Sequence, residues 1–224
     1  MLTFHIITLF PESFASYLES SIIGRARRQK KIRVQFYNPR DFITSKNRHK
    51  PVDDRPYGGG PGMVMLAEPI LRTAARILSR LKPKTYKLII FSPSGKQFTN
   101  ALAGKWSRFY RHLILICGRY EGIDARVKKI LRVEELSIGP YILSGGELPA
   151  LIVLEAVSRQ LSGVLGKDES VEERRVSSPE VYTRPAVLTW RGKKYHVPKI
   201  LLSGHHGEIK KWKRVKRGAV DKSN

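Results

Sequence analysis

The sequence predicts an α/β domain, a mostly parallel sheet with helices on its faces, followed by a small basic helical appendage. Two observations carry this. Three times in succession an apolar run meets a Gly-containing loop and then a helical stretch, with the loops at 92–95, 118–122 and 137–147. Such alternation implies parallel strands. After Gly163 the chain turns polar and charged, and its later apolar pieces are short.

The elements follow in order. Residues 3–9 form an apolar run that reads as a buried strand, and Pro11-Glu12 opens a helix to about Ala26. Ile32, Val34 and Phe36 alternate as a second strand, stopped by Asn38-Pro39. Residues 40–62 are polar, carry no helix or strand period and end in a Gly- and Pro-rich run. So long a loop in a compact domain is functional or disordered; Arg55, Tyr57 and two acids favour a substrate loop that orders on binding. Residues 68–81 place Ile70, Leu71, Ala74, Ile77, Leu78 and Leu81 on one helix face. Strand 88–91 is cut by the loop 92–95, and Thr99 can cap a helix over 100–109. Strand 113–117 is cut at 118–122 and followed by a helix over 123–131. Residues 148–161 are apolar almost all round and predict a buried helix, with Glu147 and Pro149 suited to its first turn. Residues 164–186 read as a linker between domains at 1–163 and 187–224, and the last helix starts near Glu208.

Charge narrows the partner. There are 42 Lys+Arg against 19 Asp+Glu, a formal net charge of +23. That imbalance points to a polyanion: nucleic acid first, an anionic membrane surface second, though no amphipathic anchor supports the latter. Cys117 is the one cysteine, so no disulfide within the chain and no cysteine metal cluster is possible. A reducing compartment, the cytoplasm, is expected. The N-terminus lacks the features of a signal peptide, and no window approaches a membrane span.

The chemistry begins with exclusions. Gly95-Lys96 lacks the upstream Gly and following hydroxyl of a phosphate-binding loop, and Gly58–Gly62 does not follow a strand as a dinucleotide fingerprint would. The histidines at 5, 49, 112, 196, 205 and 206 show no metal-ligand spacing. What remains is three small-residue loops gathered at the C-terminal ends of parallel strands, where such sheets bind ligands.

Five motifs then carry a resemblance. Asp53-Asp-Arg-Pro-Tyr-Gly-Gly-Gly-Pro-Gly-Met63, Cys117-Gly-Arg-Tyr-Glu-Gly-Ile-Asp124, the stretch 137–150, Tyr182-Thr-Arg-Pro185 and Leu201-Leu-Ser-Gly-His205 closely resemble the bacterial tRNA (guanine-N1)-methyltransferase family, TrmD, in order and at compatible spacing. The resemblance implies a SPOUT fold with a trefoil knot, a homodimer with its sites at the interface, and S-adenosylmethionine as methyl donor. The implied target is N1 of the guanosine immediately 3′ of a tRNA anticodon.

By the same resemblance, the donor is held by Ser92 and Pro93, by Gly118, Tyr120 and Glu121, and by Ile138, Gly139, Pro140, Tyr141, Ile142, Leu143, Gly145 and Gly146. Asp54, Arg55, Tyr57 and Gly59, with Ser203, His205, Lys210 and Lys211 in the tail, are the expected contacts to the anticodon stem-loop. Guanine N1 must lose a proton to act, so a carboxylate base and a cation near O6 are required. The resemblance assigns the cation to Arg159 and puts Glu121 near the donor and a divalent ion such as Mg2+. Alignment sets Arg174 at the family's catalytic aspartate. Glu173 is the expected base, with Glu172 and Asp168 as nearby carboxylates. Set against the family pattern, the linker from 174 to 181 is shorter than usual, Pro140 stands where an acidic residue is common, and the resemblance leads one to expect the later helices of the family's C-terminal domain to be missing. The competing reading is a non-catalytic tRNA- or ribosome-binding protein.

Overall fold

The computed structural model describes residues 1–43, 51–166 and 180–221, with side chains described through Arg214. Two compact units divide the chain, 1–166 and 167–224.

The first unit opens with β1 (Leu2–Ile7), buried along its whole length. A 3-10 turn at Pro11–Phe14 leads into α1 (Ala15–Glu19) and α2 (Ser21–Arg28). The single helix expected here is broken because Ser20 takes an extended conformation, φ −92° and ψ 152°. β2 (Ile32–Tyr37) follows. β3 (Asp53–Asp54), inside the polar loop, pairs antiparallel with β4 (Val64–Met65), just beyond its end, a pairing too short to leave a sequence period. Then come α3 (Ala67–Leu78), β5 (Tyr86–Gln97), α4 (Asn100–Phe109) and β6 (His112–Ile116). Thr99 caps α4 as expected, accepting from the Leu102 N–H at 3.3 Å. α5 (Ala125–Leu131), β7 (Glu134–Ser137) and α6 (Glu147–Ser158) complete the unit.

The main sheet has the order β2-β1-β6-β5-β7, every pair parallel. Alternation along its strands divides the core into two layers. Phe4, Ile6, Ile89, Leu113 and Leu115 pack with Phe14, Leu18, Trp106, Val153 and Val157. Ile7, Leu88, Ile90, Ile114 and Ile116 pack on the other face with Ile70, Ala74, Ile77 and Val127. A mostly parallel sheet with helices on its faces is therefore the architecture.

Two expectations change. β5 is not cut at 92–95: the strand continues to Gln97, and its pairing with β7 shifts between Phe91 and Lys96. The bulge keeps the strand going while re-aiming Ser92 and Pro93. Gly95 permits it, since a Cβ there would lie 2.6 Å from the Leu136 nitrogen. The second change concerns α6. Ala150, Val153, Leu154 and Val157 are buried, but Leu148 is 60% and Ile152 43% exposed. One face of this apolar helix meets the core and the other lies open.

In the second unit, β8 (Val187–Trp190) and β9 (Lys193–His196) form an antiparallel hairpin, followed by α7 (Lys199–Leu202) and α8 (His206–Asp221). The tail expected to be helical thus carries a hairpin as well.

Candidate active site

Parallel strands deliver their following loops to one edge of the sheet. Here the bulge of β5 and the loops after β6 and β7 enclose a cavity of about 450 Å3. Ser92 and Pro93 line it from the bulge, Gly118, Tyr120 and Glu121 from the second loop, and Ile138, Gly139, Tyr141, Ile142, Leu143, Gly145 and Gly146 from the third. Pro140 is the exception: it is exposed and stands outside the lining. Its neighbours Gly139 and Tyr141 line the cavity on either side of it.

Backbone contacts hold the loops together. The Gly146 N–H donates to the Gly118 carbonyl at 2.9 Å, and Arg119 and Gly145 form an isolated antiparallel bridge. A Cβ on Gly146 would stand 2.6 Å from the Cys117 Cα, and one on Gly145 would stand 2.5 Å from the Arg119 Nε. Bare backbone is therefore a packing requirement at this crossing. Ser137 organises the third loop, donating to the Gly139 carbonyl and accepting from the Gly139 N–H.

Beneath the crossing lies a polar cluster that sequence reasoning missed. Arg119 lines the cavity and pairs with Glu147 at 3.0 Å. Its guanidinium lies 4.4 Å over the Phe10 ring. Glu147, 4% exposed, also accepts from the Thr8 hydroxyl at 2.8 Å. The signal was present: Arg119 sits inside a quoted motif, and Glu147 stands in the first turn of an apolar helix. Glu135 and Pro149 are further lining residues not foreseen. Cys117 is buried here and burial pushes its thiol well up, so it stays protonated and is no nucleophile.

The polar loop is fastened to the same wall. Met65 donates to the Gly122 carbonyl, Glu121 to that of Met63 and Asp124 to that of Met65. Gly62 abuts Glu121 so closely that a Cβ would lie 2.7 Å from the carboxylate. Asp54 is exposed and accepts from the Arg55 N–H, and beyond it Arg55, Tyr57 and Gly59 are exposed. Tyr57 and Gly59 thus project from a base anchored at the cavity.

Other expected residues stand apart. Arg159 caps the C-terminal end of α6 and does not line the cavity. A helix of this length separates it from Gly146 by about 20 Å, beyond the reach of a side chain. In the second unit Ser203 and His205 form a small exposed turn, and Lys210 and Lys211 lie exposed on α8, Lys211 paired with Glu208. Asp168, Glu172, Glu173 and Arg174 lie outside the described residues.

The donor set decides which groups fit. A concave site with bare backbone, apolar walls and a few polar groups suits a small organic cofactor. Among the described residues no group of three or more His, Cys, Asp or Glu could hold a metal ion, so the Mg2+ implied by resemblance finds no ligand set there.

The family model for the tRNA (Guanine-1)-methyltransferase TrmD matches residues 2–223. The chain belongs to this family. The tRNA (guanine-N(1)-)-methyltransferase of Thermomicrobium roseum is 46% identical over 95% of this chain and 77% of its own length. That of Clostridioides difficile is 45% identical over 94% and 90%. The crystal structure of the tRNA (m1G37) methyltransferase from Aquifex aeolicus superposes with a TM-score of 0.78 at 38% identity, covering 99% of this chain and 92% of that one. Membership in the TrmD family makes the chain an enzyme, and the three-loop cavity its candidate active site.

Proposed function

We propose that this chain transfers the methyl group of S-adenosylmethionine to N1 of the guanosine immediately 3′ of a tRNA anticodon, acting as a homodimer. The observation that carries this reading is the cavity at the C-terminal ends of β5, β6 and β7, with its backbone-rich walls. S-adenosylmethionine supplies an activated methyl, so the protein has mainly to align an in-line displacement and exclude water.

Main-chain groups of the three loops hold the adenosine moiety, and the Arg119–Glu147 pair keeps the second loop against the third. The loop bearing Asp54, Arg55, Tyr57 and Gly59 brings the RNA to Glu121 through their shared anchoring. Glu173 takes the proton from N1 as the nucleophile forms. The cation at O6 is Arg159 of a second copy, because one chain's own Arg159 is a helix length from its own cavity. The open apolar face of α6, with Leu148 and Ile152, and the 87% exposed Ile142 at the cavity support that pairing. The crossing of 144–146 against 117–119 supports a trefoil knot. In this reading 1–163 is the methyl-transfer domain, 164–186 the linker and 187–224 the RNA-gripping domain, with Ser203, His205, Lys210 and Lys211 as contacts. The enzyme works in the cytoplasm; no helix among the described residues is long and apolar enough to cross a membrane.

The test uses purified chain, methyl-labelled S-adenosylmethionine and tRNA transcripts with and without the anticodon-adjacent guanosine. N1-methylguanosine forms only in the first. Donor binding without product would leave a non-catalytic RNA binder. Glu173→Gln lowers turnover by about 10²-fold or more while donor affinity stays unchanged.

A further inference from the structure

Every strand residue of the β8–β9 hairpin is exposed. Its register pairs Leu188 with Tyr195 and Trp190 with Lys193. Cross-strand partners, and residues two apart in a strand, share a face. Leu188, Trp190, Tyr195 and Lys193 therefore form one face of the ribbon. On it Trp190 is 62%, Tyr195 54% and Leu188 53% exposed. Arg191 and Gly192 make the two-residue turn at the tip, both at positive φ, 49° and 75°. That geometry matches the strand twist and holds the ribbon in register.

Two large rings and a leucine on one outward face mark a contact surface, and the charge around them selects the partner. From Glu180 to Glu208 the chain carries no carboxylate side chain in between, but it does carry Arg184, Arg191, Lys193, Lys194 and Lys199. A polyanion with accessible π-faces suits both features. Unpaired nucleic acid offers them, whereas a duplex hides its base faces in the stack.

We propose that the Leu188–Trp190–Tyr195 face of the β8–β9 hairpin is a stacking platform for unpaired RNA bases, with Lys193 on the same face and Arg191 at the tip meeting the adjoining phosphates. This rests on the reading of tRNA as substrate and names how the tail holds the single-stranded part of it. Trp190 and Tyr195 supply ring faces that accept any base, so the platform gives grip and not sequence choice.

The test measures binding of the full chain to a single-stranded oligoadenylate and to an RNA duplex with the same number of phosphates. Trp190→Ala weakens the single strand about tenfold and moves the duplex less than twofold. Trp190→Phe, which keeps a ring, restores most of the loss; Tyr195→Ala repeats it. Equal loss for both RNAs, or no loss for either, would overturn the platform. So would self-association of the wild-type chain that Trp190→Ala abolishes, since a second copy would then cover the face. Methyl transfer to tRNA separates the two readings. A Trp190→Ala enzyme with unaltered KM for tRNA sinks the platform alone. Selective loss of single-strand binding in a chain whose wild type methylates nothing sinks the methyl-transfer reading alone.

Discussion

Arg119 and Glu147 meet at 3.0 Å between the loop after β6 and the first turn of α6, joining two of the three cavity loops. The Glu147 side chain is only 5% exposed. Truncating its partner leaves a buried carboxylate with the Thr8 hydroxyl alone. Arg119→Ala is expected to cost about 3 kcal/mol of stability and to weaken S-adenosylmethionine binding. Urea denaturation and calorimetric titration read the two effects. Unchanged donor affinity in a folded Arg119→Ala protein would show that the pair does not shape the cavity.

Gly146 has no room for a side chain. Its Cβ would meet the Cys117 Cα at 2.6 Å, and the obstruction is backbone, which cannot swing aside. Gly146→Ala must push the third loop away from the second, at a cost of about 1–3 kcal/mol. Donor affinity is expected to fall at least tenfold while RNA binding persists. Parallel titrations with donor and tRNA check this.

Arg159 offers a test of the proposed dimer. Mix Gly146→Ala chains, whose own cavities are disabled, with Arg159→Ala chains, whose cavities are intact. If Arg159 acts across the dimer, each mixed dimer holds one complete site. Random mixing then restores about a quarter of wild-type activity. No recovery above the separate variants would place the cation within its own chain or elsewhere.

His5 sets an acid limit on stability. It is 5% exposed and hydrogen-bonded to Tyr37 and His112, each at 3.1 Å. Burial, with the nearby His112 and Arg33, lowers its pKa from 6.5 to about 4. The unfolded chain therefore binds a proton near pH 6.5 that the folded chain refuses until about pH 4. Stability from a neutral His5 is full above pH 6.5 and falls as pH drops from there toward 4, by roughly 3 kcal/mol in all. The contrast between wild type and His5→Gln in urea melts at pH 7 and pH 4.5 isolates this. Parallel slopes in the two proteins would remove His5 as the cause.

Much of the fold was legible in the residues. The all-apolar run of β1, the one-faced period of α3 and the Thr99 cap each reflect local burial or local hydrogen bonding, which periodicity and side-chain chemistry report directly. The loops at 118–122 and 137–147 were legible because glycine clusters break strands visibly. The break at Ser20 and the β3–β4 pair were not, since one extended residue and two-residue strands leave no period. The outward face of α6 was read as buried because a sequence reports apolarity and not which neighbour covers it.

The chain by itself determined the α/β alternation, the basic balance and the motifs that identify its family, because these depend on residue type and short-range order. Only the tertiary structure decided that β5 runs on through its bulge and that Arg119 reaches Glu147. Those relationships join residues distant in sequence. They arise from strand order and from where backbone packs against backbone, and no local period encodes them.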